Sequence, residues 1–304
     1  MTTTEAAPRL GTTATDAEPA VHLRGLVKRY GGRAVLDGLD LDVARGEVFA
    51  LLGPNGAGKT TTIEILEGVR KRDDGDVRVL GEDPARAGRA WRARIGVVSQ
   101  GEGAPQELSV REVLDHFALY HATPRPTPEL VAAVGLEDKV STRVGRLSGG
   151  QRRRLAVALG VQGRPELVFL DEPTTGMDPV ARRQFWELIR GLRATGTTVL
   201  LTTHYLDEAA ELADRVGVVA EGRLVEVAPP GELGAELRRQ ATVRWFEDGA
   251  PREVRTEEPA AVLRDLLAGS VADVPGLTVT RPSLEDVYLR LVGAAPTATE
   301  GALR

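Results

Sequence analysis

The residues Gly53-Pro54-Asn55-Gly56-Ala57-Gly58-Lys59-Thr60 carry the spacing G-x-x-x-x-G-K-[ST], with Thr61 next in line. A loop of this kind holds a polyphosphate. Its glycines let the backbone turn tightly, so that several N–H groups converge on phosphate oxygens. A helix starting at the end of the loop aims its positive dipole end at the same anion. Lys59 would reach the outer phosphates as a point charge, and the Thr60 hydroxyl would ligate Mg²⁺. Basic residues in this chain are nearly all arginine. Lysine stands only at Lys28, Lys59, Lys71 and Lys139, so its use in the loop marks a place where a guanidinium does not serve.

A second group of reactive side chains lies downstream. The apolar run Leu167-Val168-Phe169-Leu170 ends in Asp171-Glu172. A carboxylate at the end of a buried strand, near a phosphate loop, is suited to holding Mg²⁺. Neighbours on a strand point to opposite sides, so the two acids divide the work. Asp171 is expected at Mg²⁺ and its water shell, and Glu172 at the attacking water. Two carboxylates so close to phosphate repel one another unless a cation is bound.

Short apolar runs alternating with helical patterns would position these groups. Val48 to Leu52 leads into the loop, and Thr60 to Val69 reads as the helix after it. Leu39, Leu41 and Val43 alternate with polar residues, and Ile95 to Ser99 is another strand. Ser109 and Glu112 form a capping box for a following helix. Pro179 opens a helix to Ala194, Thr197 to Leu201 is a β-branched strand, and Leu206 to Ala213 a short helix. Strands that are apolar throughout, set between helices, predict an α/β fold whose sheet is buried on both faces.

The pattern changes at Pro229-Pro230. Helices at Glu232 to Arg239, Ala260 to Leu267 and after Ser283, with strands at Thr242 to Phe246 and Leu277 to Thr280, predict a small α+β appendage. The resulting division is a disordered arm over 1–20, a main unit over 21–228, an accessory unit over 229–293 and a flexible tail over 294–304.

Composition narrows the function classes. The 304 residues carry a net charge of −5, which argues against nucleic acid as the main partner. The run Arg152-Arg153-Arg154 therefore reads as a solvated helix face. With no cysteine, disulfides and cysteine-based zinc sites are excluded. No apolar run reaches about 18 residues, and no signal-peptide pattern opens the chain, so a cytoplasmic location is expected. No N-K-x-D motif is present to read guanine.

Between the loop and the carboxylates stand Leu147-Ser148-Gly149-Gly150-Gln151. With this pentapeptide the chain resembles the nucleotide-binding subunits of ABC transporters over residues 20–228. The resemblance implies a P-loop NTPase fold of the ABC ATPase type, with a mixed-sheet core, an antiparallel β part and a helical subdomain. It implies ATP and Mg²⁺ as ligands. It sets Tyr30 to stack on adenine and Gln100 at Mg²⁺ or its water, facing the membrane partner. Asp178 falls in the D-loop, and His204 at the γ-phosphate. The signature pentapeptide would close over ATP held by a second copy, giving a head-to-tail homodimer.

The segment Ser283-Leu284-Glu285-Asp286-Val287-Tyr288-Leu289-Arg290-Leu291-Val292 resembles the ending of drug- and antibiotic-exporter ATPases. The resemblance therefore implies an ATPase at the inner face of the membrane. It would drive export of a hydrophobic small molecule through a separate integral membrane permease. A soluble ABC ATPase with a regulatory or assembly role is the alternative.

Overall fold

The computed structural model describes residues 18–99, 104–247, 249–268 and 274–293. Gln100, most of the expected N-terminal arm and the expected tail lie outside the described residues.

In chain order the elements are β1 (Val21–Tyr30), β2 (Arg33–Val43), β3 (Val48–Leu52), α1 (Lys59–Leu66), β4 (Asp74–Val79), α2 (Arg89–Arg92) and β5 (Ile95–Val98). Then come α3 (Val110–Ala118), α4 (Thr127–Ala133), α5 (Gly149–Val161), β6 (Leu167–Asp171), α6 (Pro179–Ala194), β7 (Thr198–Thr203) and α7 (Leu206–Leu212). The remainder are β8 (Arg215–Ala220), β9 (Arg223–Ala228), α8 (Ala235–Arg239), β10 (Ala241–Glu247), β11 (Ala250–Thr256), α9 (Pro259–Ala268), β12 (Thr278–Thr280) and α10 (Leu284–Leu291).

The central sheet has the order β5-β6-β7-β3-β8-β9, parallel except for the antiparallel pair β8–β9. Every residue of β3, β6 and β7 is buried. Their side chains alternate between two cores, as the pleat requires. Val48, Ala50, Leu52, Val168, Leu170, Val199 and Leu201 pack with residues of helices α3 to α6. Phe49, Leu51, Leu167, Phe169 and Leu200 face the opposite way, toward α1 and the antiparallel sheet β2-β1-β4. This is the expected α/β arrangement of a mixed-sheet core, an antiparallel part and a helical part.

Register aligns the strand ends. Leu52 pairs with Thr203, and Asp171 with Thr202. Gly53, Glu172 and His204 therefore all leave the sheet at its carboxyl edge, where ligands bind in open α/β sheets.

A third sheet, β11-β10-β12, is antiparallel and has α9 packed against β10. The last helix, α10, returns to the central sheet instead. It contacts β8, and Leu284, Tyr288 and Leu291 pack on the core beneath the helices.

Candidate active site

The loop after β3 is held on both sides. A Cβ on Gly53 would collide with the Val219 carbonyl at the end of β8. Gly58 has φ +105°, and a Cβ there would lie 2.5 Å from Leu36 Cδ2. These two contacts make glycine obligatory at both positions. Gly58 caps α1 without a side-chain acceptor, so no side chain competes for the first-turn amides. Asn55, Gly56, Gly58, Lys59, Thr60 and Thr61 line a cavity of about 330 Å³, together with Val35 and Glu172. Pro54 and Ala57 shape the turn beneath it, the Ala57 amide donating to the Pro54 carbonyl at 3.2 Å.

Lys59 is 5 % exposed. Its ammonium donates to the carbonyls of Gly53 at 2.8 Å and Pro54 at 3.2 Å, and stands 3.7 Å from Glu172 Oε1. Burial lowers its pKa, and the charges of Glu172 and Asp171 oppose that shift.

Asp171 ends β6 and is almost fully buried. Thr202 donates to its Oδ1 at 2.6 Å, and Thr60 Oγ1 stands 3.4 Å from the same oxygen. The Thr202 hydroxyl also accepts from the Glu172 amide at 3.0 Å.

Glu172 lies one residue past the strand and has φ +45°, a left-handed backbone rare for a non-glycine residue. Strand alternation was the expected reason for Asp171 and Glu172 to diverge; this turn is the actual one. Glu172 Oε2 lies 3.5 Å from His204 Nδ1, an ion-pair distance. His204 Nδ1 is buried and makes no hydrogen bond among the described residues. One carboxylate thus stands between an ammonium and an imidazole, against the cavity.

The other expected residues lie apart from the cavity lining. Ser148 caps α5, accepting from the Gln151 amide at 3.2 Å, while Gln151 Oε1 accepts from the Ser148 amide at 2.9 Å. Leu147 is buried beneath, and Ser148 and Gly149 are exposed. A Cβ on Gly149 would meet nothing within 4 Å, and one on Gly150 would only reach Met177 Cγ at 3.9 Å. Asp178 caps α6, accepting from the amides of Val180 and Ala181, both at 2.9 Å. Tyr30 is 41 % exposed, with Lys28 and Arg70 at 5.5 Å and 5.4 Å from its ring centre.

Thr202 carries no mark in the sequence, and Arg153 stands there only as part of an arginine run read as solvated. The arginine run is not a solvated face, and that expectation is corrected. Arg152 donates to the Leu147 carbonyl at 2.7 Å. Arg154 donates to the carbonyls of Val134 and Gly135 and to Gln184. Arg153 donates to the carbonyls of Pro173, Ser99 and Asp171. Acceptors on the main chain leave no trace in residue type, so no sequence signal marks this use.

Comparison with known proteins places this geometry. The family model described as "ABC transporter" matches residues 36–175. The daunorubicin resistance ATP-binding protein DrrA3 of Streptomyces coeruleorubidus is 38% identical, with 94% of this chain and 100% of that protein covered. The Nod factor export ATP-binding protein I of Paraburkholderia xenovorans is 39% identical, with 91% of this chain and 98% of that protein covered. A solved structure of an ATP-binding subunit of an ABC transporter superposes with a TM-score of 0.66 at 26% identity. It covers 71% of this chain and 92% of its own.

Proposed function

The chain belongs to the ATP-binding subunits of ABC transporters, which bind and hydrolyse ATP, and from that premise we propose that it powers export of a hydrophobic small molecule through a separate membrane subunit. The relative named for Nod factor export supports the direction, and the one named for daunorubicin resistance supports a drug-like cargo.

The observation that carries the catalytic part is Glu172, held between Lys59 at 3.7 Å and His204 at 3.5 Å beside the cavity. We assign Lys59 and the loop amides to the outer phosphates and Glu172 to the proton of the attacking water. His204, whose Nδ1 faces Glu172, would link that carboxylate to the γ-phosphate. Thr60 and Asp171 are two hard oxygen donors of the kind that suit Mg²⁺, which takes one or two protein ligands and completes its shell with phosphate and water. When bound, the ion neutralises charge on the outer phosphates. Gln100 joins this proposal at Mg²⁺ or its water, and Tyr30 as the adenine platform.

The open glycine face at Ser148 to Gly150 supports a head-to-tail homodimer. Nothing in this chain's own packing requires glycine at Gly149, whereas a second copy's phosphate lying against that helix end would. Among the described residues no helix is long and apolar enough to cross a membrane. The proposed place is the inner membrane face, held there by the permease. Residues 21–228 would be the ATPase unit and 229–293 an accessory.

The test is capture of membrane partners by tagged Glu172→Gln protein in ATP and Mg²⁺. A stoichiometric multi-span protein is the expected result. A soluble dimer alone would leave the ATPase and remove the transport reading.

A further inference from the structure

We propose that Arg153 is the positioning residue that holds Glu172 in its working backbone conformation and ties it to the start of α5. The proposal rests on the reading of Glu172 as the residue that activates water.

Three observations carry it. First, Glu172 has φ +45°, which an L-residue keeps only when its surroundings impose it. Second, Arg153 donates to the carbonyl of Asp171 and, at 3.1 Å from Nε, to that of Pro173. These carbonyls belong to the residues immediately before and after Glu172. A single planar side chain therefore clamps the strained residue from both flanks. The Nη1 of the same guanidinium donates to Ser99, at the end of the strand leading to residue 100, so each of its nitrogens has an acceptor. Third, Arg153 belongs to the first turns of α5, the helix capped by Ser148. A shift of that helix end would move the clamp, and with it the carboxylate facing Lys59 and His204.

The chemistry explains why the residue is arginine. Three carbonyls around a plane match the fork of a guanidinium, while an ammonium would satisfy fewer of them at this geometry. The charge also has a purpose here. Burial lowers the Arg153 pKa, and the neighbouring carboxylates Asp171, Glu172 and Glu208 act against that. The guanidinium is thus a fixed counter-charge under a cluster of acids.

A misplacement of about 1 Å at a reacting group costs on the order of 100-fold in rate, so Arg153→Ala in the full chain should lower kcat about 100-fold. KM for ATP should stay within about threefold, because no phosphate contact is removed. Arg153→Lys should lose about tenfold, keeping part of the clamp.

A purely structural role is separated by a double-mutant cycle with Glu172→Gln, read by single-turnover hydrolysis. If Arg153 acts through Glu172, Arg153→Ala adds no more than about twofold to the loss already caused by Glu172→Gln. A full multiplicative loss in the double variant, or a parental kcat in Arg153→Ala, overturns the proposal. Should Arg153→Ala not fold, Arg153→Lys in both backgrounds gives the same reading. Normal turnover by Glu172→Gln alone would sink the Glu172 assignment itself. An inactive Glu172→Gln beside a fully active Arg153→Lys would sink only the clamp.

Discussion

The Thr202 hydroxyl donates to Asp171 Oδ1 at 2.6 Å while accepting from the Glu172 amide at 3.0 Å, so one side-chain oxygen sets the direction of both acids. Thr202 is fully buried, and water cannot replace it in either bond. Thr202→Val keeps the shape and removes both bonds. A hydrogen bond to a charged group contributes about 1.5–3 kcal/mol, so ATPase turnover should fall at least about tenfold. The Mg²⁺ concentration for half-maximal activity should rise. Steady-state rates across a Mg²⁺ titration test this, with Thr202→Ser expected to recover most of the loss.

Lys59 fills a slot with almost no solvent access and donates to two loop carbonyls. Lys59→Ala should weaken ATP binding at least about tenfold, the scale of one lost charge-assisted hydrogen bond. Lys59→Arg should not restore it, since a planar fork needs more room than an ammonium. Equilibrium titration with nucleotide is the measurement. Unchanged affinity in Lys59→Ala would mean that the cavity is not the phosphate site.

Glu67, at the end of α1, is only 9 % exposed. Burial pushes its carboxyl up from 4.5 to about 8, with the charges of Asp171 and Glu64 adding to the shift. The sign follows from proton counts. Between pH 4.5 and about 8 the unfolded chain has released this proton and the folded chain still holds it. The group therefore costs stability increasingly as pH rises through that window, and the cost levels off above it. Glu67→Gln stays neutral in both states. It should match the parent near pH 4.5 and exceed it by about 4 kcal/mol at pH 8 in urea denaturation. An advantage that is the same at both pH values would contradict this account.

Gly234 has φ +61°, and a Cβ there would collide with Val287 of α10. Gly234→Ala combines backbone strain with overpacking and should destabilise the protein by about 1–3 kcal/mol. Val287→Ala in the same chain should recover part of that by making room. Thermal unfolding of the single and double variants decides whether α10 is held at this contact.

The cradle and the acidic pair are legible in the sequence because their chemistry is written in consecutive residues, 53–60 and 171–172. Their meeting is not. It depends on the parallel pairing of β3 with β7 and β7 with β6, which joins segments more than a hundred residues apart. Strands with unbroken burial, such as Val48 to Leu52, read correctly. Others do not announce themselves, β1 and β11 among them. In β1 the register shifts after Leu23, around Gly25, and breaks the apolar alternation. In β11 Pro251 and the charged residues Arg252, Glu253 and Arg255 give no apolar period, because this edge strand is held by backbone pairing and stays almost wholly exposed. His204 shows the reverse case. Its type says little, and only its position after β7 puts it at Glu172.

The left-handed backbone at Glu172 also bears on how this chain would respond to selection. Glycine would adopt that conformation without penalty, so Glu172→Gly should unfold at a higher temperature than its parent if it keeps the same turn. It would also be chemically idle. Thermal robustness and turnover pull in opposite directions at this single codon. A library screened only for heat tolerance would drift toward loss of the activity, whereas one screened for hydrolysis would retain the less stable residue.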